Sequence, residues 1–246
     1  MQRTAVCWSV RGGEHDVKRD APLIGKVVRG TDVRGLLCCL YGPGRANEHL
    51  DTHLIAGFGD PDELEPDRYP NGRYDLGRLA MLLAQPLAVP SRPYYEKPVW
   101  HCSVRAAPGD GLLSDGEWAQ VAAEVMDTTG LAAEGDYLGV RWVAVRHAPD
   151  HIHIVATLTR QDGGRPDVWN DFYKVRTACR SAERRLGLRR TAPADRTAAR
   201  RPSRAEREKA ARRGWAEPAR ETLRREVSVA AAAANTEQKF FALLGE

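Results

Sequence analysis

The stretch Val143-Ala144-Val145-Arg146-His147-Ala148-Pro149-Asp150-His151-Ile152-His153-Ile154-Val155-Ala156-Thr157 decides how this chain is read. It holds three of the seven histidines. His151 and His153 are separated by one apolar residue, Ile152, and Ile154, Val155 and Thr157 are strand formers. Residues i and i+2 of a strand share a face, so the two imidazoles project side by side, about 7 Å apart at the backbone. Ile152 and Ile154 then turn to the opposite side, into a core. His147 precedes the pair across a Pro-containing bend and offers a third nitrogen. Neutral imidazole is the commonest transition-metal ligand, and three protein ligands leave positions open for substrate. A single strand histidine is usually a solvated surface residue. A pair on an apolar strand, beside a third histidine and Asp150, favours a metal site instead.

Working outward, Leu138–Val145 and Ile152–Thr159 read as two strands of a hairpin with the histidines near its end. Upstream, Leu23–Val28 reads as a first strand. Asp32–Tyr41 reads as a helix capped by Thr31 or Asp32 and stopped by Gly42-Pro43-Gly44. A polar loop, Arg45–His53, leads to a short strand at Leu54–Gly57. Residues Asp60–Arg73 are turn-rich. Leu76–Gln85 has helical apolar spacing, ended by Pro86 and the prolines after it. Val99–Arg105 alternates as a strand. Ser114 and Glu117 form a capping box for a helix that Gly130 ends. Asp171–Leu186 is a basic amphipathic helix with Phe172, Val175, Cys179 and Leu186 as apolar markers. Strands and helices in this pattern predict an α+β fold: an antiparallel sheet covered on one side by helices.

The chain has 246 residues and a net charge of +4. Residues 189–214 alone carry ten Arg/Lys and three Asp/Glu, so the remainder is net negative. That asymmetry points to a polyanionic partner. Residues 189–213 read as a linker into a short basic helix starting near Ser203, broken by Pro218. Ala219–Leu244 follows as one alanine-rich helix. Arg45, Arg200, Arg201, Arg204, Arg212 and Arg213 are the candidate DNA-contacting residues. The expected division is a disordered segment 1–22, a domain at 23–188 and a basic helical tail at 189–246. Five scattered cysteines without C-x-x-C spacing argue against a disulfide framework or a Cys-ligated zinc site. No apolar run approaches 18 residues, so a cytoplasmic protein without membrane insertion is expected.

Four ordered stretches carry a family resemblance. They are Arg29-Gly30 to Arg45, Trp100-His101-Cys102-Ser103, Leu113–Trp118 and Arg146–Val155. Together they resemble an actinobacterial relaxase, or mobilisation nuclease, of the His-hydrophobic-His endonucleases of conjugative plasmids. The resemblance runs from about Leu23 to Leu188. It implies about five antiparallel strands flanked by helices, and a divalent metal (Mg2+ or Mn2+) held by His147, His151 and His153. Asp150 supports an imidazole from behind or shapes the turn. The family's tyrosine attacks one DNA phosphodiester at a transfer origin and stays linked to the 5′ phosphate. In register that position falls nearer Cys39 than Tyr41, two residues or about 200° away on a helix. Because Gly42 ends the helix, Tyr41 can still swing into the site and is the candidate nucleophile, with Tyr94, Tyr95 and Tyr173 as lesser stand-ins. The implied partners are origin DNA, single-stranded near the nick, with accessory mobilisation proteins and a coupling protein. Many relatives continue past this length, so a truncated chain is also expected.

The leading functional expectation is a DNA nickase that starts conjugative mobilisation through a covalent tyrosyl-DNA intermediate. One alternative is a degenerate relaxase that binds the origin without cutting. Another is a metal-dependent phosphoesterase that uses a bound water.

Overall fold

The computed structural model describes residues 23–44, 51–89, 95–106, 113–188, 191 and 201–245. The segment 1–22, Arg45 and Arg200 lie outside the described residues. The chain divides into two compact units, Met1–Ala194 and Asp195–Glu246.

In the first unit, five strands form one sheet: β1 (Ile24–Gly30), β2 (His53–Gly57), β3 (Val99–Arg105), β4 (Val140–Ala148) and β5 (His151–Arg160). Their order is β1-β3-β5-β4-β2, antiparallel at every pairing. The helices are α1 (Val33–Leu40), α2 (Pro61–Leu64), α3 (Gly77–Ala84), α4 (Asp115–Thr129) and α5 (Asp171–Arg185). The fold class is thus α+β with an antiparallel sheet of five strands.

Helices cover both faces of this sheet, where one covered face was expected. One core joins Trp100, Cys102, Val104, Ile152, Ile154 and Ala156 to Trp118 and Val121 of α4 and Val175, Ala178 and Cys179 of α5. The other joins Val99, Val143, Val145 and Val155 to Leu36, Leu37 and Leu40 of α1 and Leu79 and Leu83 of α3. The reason is visible along β5, where residues 154–159 are all buried rather than alternating.

The hairpin is tighter than the sequence suggested. β4 runs on through His147 to Ala148, and only Pro149 and Asp150 connect it to β5. The β4–β5 register shifts between Arg146 and Ala148, which leaves His147 as the extra residue of a bulge. Such a bulge re-aims a side chain without ending the ladder.

Local chemistry explains the helix ends. The Asp32 side chain caps α1 by accepting from the Gly35 amide at 2.9 Å, and Tyr41 is its C-cap. Ser114 and Glu117 form a capping box for α4, and Gly130 closes that helix in the left-handed region at φ 73°. Gly25 permits the approach of α5 to β1: a Cβ there would sit 2.3 Å from Val175 Cγ1. Three local expectations are corrected. The turn-rich segment contains the short helix α2, with Pro61 at its permissive first turn. The chain continues past α3 as a 3-10 helix at Gln85–Ala88 despite Pro86. Phe172 is 55% exposed, because Asp171, one turn before Val175, takes the inward position instead.

The second unit contains α6 (Arg204–Arg212), α7 (Ala219–Ala233) and α8 (Glu237–Leu244). The single alanine-rich helix expected here is two, because the chain leaves helical geometry at Ala234 and Thr236 caps a new start. α6 ends before Gly214 (φ 65°), and Pro218 instead begins α7. No helix among the described residues is long and apolar enough to cross a membrane.

Candidate active site

Alternation places His101 of β3, His147 of β4 and His151 and His153 of β5 on the α1/α3 face of the sheet. His147 is buried and the β5 pair half-buried. Its ring lies 4.6 Å from those of both His151 and His153, centroid to centroid. Nitrogens of His147, His151 and His153 all lie within 4.8 Å of one another. Three nitrogens spread evenly around one ion at about 2.1 Å are about 3.4–3.6 Å apart. The three imidazoles therefore fit a single cation with less than about 1 Å of adjustment each.

The outer nitrogens are held as well. His151 Nδ1 lies 2.6 Å from Asp150 Oδ1, and Arg105 Nε lies 3.3 Å from the other carboxylate oxygen. A contact that short to a carboxylate requires the proton on Nδ1, which leaves the Nε2 lone pair to a ligand. The bond from His151, together with the Arg105 charge, keeps the Asp150 carboxyl below the usual range although burial opposes this. His153 Nδ1 lies 2.7 Å from Nε2 of His101. Burial, then the nearby Lys26 charge, pushes His101 down to about 4. A neutral His101 can accept the His153 Nδ1 proton, which puts the ring's lone pair on Nε2 of His153. Such outer contacts fix ring orientation and tautomer at metal sites.

Tyr41 lies at the same face, buried in the core that contains Val145 and Val155. Its hydroxyl donates to the Glu65 carboxylate, at 3.3 Å and 3.5 Å to the two oxygens. The Leu54 amide donates to the same carboxylate and fixes it. The Tyr74 ring packs edge-on, 4.8 Å from the Tyr41 ring. Burial first, then the Glu65 charge, drives the Tyr41 hydroxyl well above its ordinary pKa. Burial also raises Glu65, against the bonds it accepts from Leu54 and Tyr41. Cys39 sits half-buried two residues earlier in α1.

Residues 86–188 match the family model of the MobA/VirD2-like relaxase nuclease domain. Over this segment, which is less than half of the chain, the protein is similar to relaxase nuclease domains. No curated protein and no solved structure matches the chain. The relaxase segment spans β3, α4, β4, β5 and α5 and so contains all four clustered histidines and Asp150. Relaxases are metal-dependent nucleases that nick DNA, and the histidine triad is a set that could hold the metal. β1, α1, Tyr41 and Glu65 lie before the matched segment.

Of the expected site residues, the structure brings His147, His151, His153 and Asp150 together. It bonds the Tyr41 hydroxyl to Glu65. The described tail arginines fall in the second unit. There Arg204 pairs with Glu208, Arg213 lies over the Trp215 ring, and Arg201 and Arg212 are exposed. Two residues escaped the sequence reading, His101 and Glu65. His101 stood in the quoted Trp100-His101-Cys102-Ser103 stretch, and its alternation marked the face. Nothing local marked Glu65, whose partners are 24 and 11 residues away.

Proposed function

We propose that the relaxase domain nicks one strand at a transfer origin by transesterification. His147, His151 and His153 hold a divalent cation, with His101 and Asp150 fixing two of the rings. The observation that carries this reading is the convergence of three imidazole nitrogens within 4.8 Å, inside the matched nuclease segment. When bound, the cation polarises the scissile phosphate and offsets charge that develops on it. Mg2+ or Mn2+ are the candidate ions. A nitrogen-only donor set ranks a transition ion above Mg2+, which prefers oxygen.

Tyr41 is the proposed nucleophile. Its buried hydroxyl is held neutral at rest, so proton removal must accompany attack. Glu65 accepts that proton. The phenolic oxygen bonds to phosphorus, the bond from phosphorus to O3′ breaks, and the departing 3′ oxygen takes a proton from solvent. The product is a 5′-phosphotyrosyl linkage and a 3′ hydroxyl. The ester keeps the bond energy, so the strand can be rejoined.

The test uses supercoiled origin DNA with Mn2+ or Mg2+. Nicked circles and a covalent protein–DNA adduct are expected. Tyr41→Phe should remove the adduct, and Glu65→Gln should slow nicking by about 10²–10⁴-fold without removing it, the usual worth of a general base. Nicking by Tyr41→Phe at the wild-type rate would instead assign the reaction to a metal-bound water. Origin binding without cutting by either protein would assign an origin-binding role. The position of Cys39, in register with the family's tyrosine, is the observation that favours that second reading.

A further inference from the structure

Helix α5 lies on the face of the sheet away from the histidines and packs against β1, the strand at that edge. Its sequence, Asp171-Phe172-Tyr173-Lys174-Val175-Arg176-Thr177-Ala178-Cys179-Arg180-Ser181-Ala182-Glu183-Arg184-Arg185, holds five cations and two acids. Both acids are buried. The Asp171 carboxylate accepts from the Arg29 guanidinium and, at 2.8 Å, from the Trp100 indole. Glu183 accepts from the Thr191 amide and hydroxyl at 2.8 Å and 3.1 Å. Neither can neutralise the helix surface, where every charge of α5 is positive.

Phe172, Arg176, Arg180 and Arg184 recur every four residues, which places them in one row along the helix. Arg176 and Arg184 are exposed, while Arg185 is turned aside towards Glu124 and Gln120 of α4. At the N-terminal end of the row, aromatic rings stand in solvent. Trp169 is 75% exposed and Phe172 55%, and the Phe172 ring contacts the Tyr173 ring at 4.1 Å between centroids. The turn that presents Trp169 is fixed by its own amide, which donates to Asp167 at 2.8 Å. Large aromatics held out in water beside a cationic row match a single strand of nucleic acid. Unpaired bases stack on exposed rings, and guanidinium groups follow the backbone phosphates.

We propose that Trp169 and the outer face of α5 form a second surface for single-stranded DNA. Trp169 and Phe172 stack unpaired bases, and Arg176, Arg180 and Arg184 track the phosphates. A strand leaving the histidine face reaches this surface by crossing the sheet edge at β1. The inference rests on the reading of the chain as a DNA nickase, and binding can be measured apart from cutting.

The experiment is fluorescence anisotropy of the full chain with labelled oligo-dT of about 20 nucleotides, in EDTA so that metal plays no part. Trp169→Ala/Phe172→Ala should weaken binding at least about tenfold. Arg176→Gln/Arg184→Gln should lower the slope of log affinity against log salt by about 1.4, from about 0.7 per phosphate contact. All four side chains are solvent-facing, so melting temperatures should match wild type and exclude misfolding. Unchanged affinity and salt slope in both variants would overturn the proposal. So would equal losses on a blunt duplex of the same length, which offers no unpaired base to stack. Nicking of origin DNA is scored in the same preparations. If wild type fails to nick while binding depends on Trp169, the nickase reading alone falls. If wild type nicks and binding ignores both variants, this inference alone falls.

Discussion

On β5, Ile152, Ile154 and Ala156 point to one face and are wholly buried, while His151 and His153 point to the other and are half-buried. The first face closes on α4 and α5 with Trp100 and Trp118 at its centre. The second closes on α1 and α3 only beyond the histidines, where Val155, Val143 and Val99 take over. β5 thus carries core residues on one side and, at its start, the histidines on the other, with a period of two residues. Stability and activity should then separate by residue parity. A substitution at 152 or 154 should cost folding, and one at 151 or 153 should cost catalysis.

The largest expected effect tests that separation directly. His153→Ala removes one ligand of a cation proposed to stabilise the reacting phosphate by several kcal/mol. Nicking should fall by roughly 10³-fold or more, with the melting temperature close to wild type. Ile154→Ala, the adjacent residue, should do the reverse. Truncating a fully buried isoleucine costs about 2–5 kcal/mol, or roughly 4–20 °C in melting temperature for a protein of this size. Rates per folded molecule should stay near wild type. Nicking rates and thermal melts on the two proteins check the pair together. If His153→Ala melts as early as Ile154→Ala, the histidines are core residues and the two faces do not divide the work.

The parts that the sequence revealed are those whose signal is local. The H-x-H alternation marked a shared face, because the strand period of two is written into consecutive residues. Ser114 with Glu117 marked the start of α4, and Gly130 its end. The parts that stayed hidden depend on partners far along the chain. The pairing of His101 with His153 spans 52 residues, and that of Tyr41 with Glu65 spans 24. The second covered face was missed because β5 is buried on both sides, so its later residues lose the alternation that would have shown it. Phe172 was placed in the core by its apolarity. In fact Asp171 is buried there, since Arg29 and Trp100 supply partners that only the folded sheet brings near.

A smaller effect concerns the contacts behind the metal ligands. Asp150→Asn keeps the shape beside His151 Nδ1 but removes the charge that orders the ring. Loss of such a partner typically costs about 10–100-fold in metal affinity. Titration of Mn2+ by calorimetry, with nicking measured at saturating metal, is the check. Affinity should fall while the saturated rate changes little. An unchanged affinity would mean that Asp150 only shapes the Pro149-Asp150 turn.

The smallest effect lies at the far end of β5, where Arg160 donates to both oxygens of Asp136, at 2.6 Å and 3.0 Å. Those bonds hold the Asp136 carboxyl below its ordinary pKa. The folded protein therefore binds this proton less tightly than the unfolded chain does. The resulting stabilisation is complete above the ordinary aspartate value of about 3.9 and is lost as pH falls through the lower folded value. The melting-temperature gap between wild type and Asp136→Asn should be small and constant from about pH 5 to 8, then narrow on further acidification. The pair is half-buried and still reached by water, and screening by water and salt keeps the gap small. A gap that widened towards acid would contradict the assigned direction. Nicking per folded molecule should not follow the change at all, since Arg160 and the histidines occupy opposite ends of the same strand.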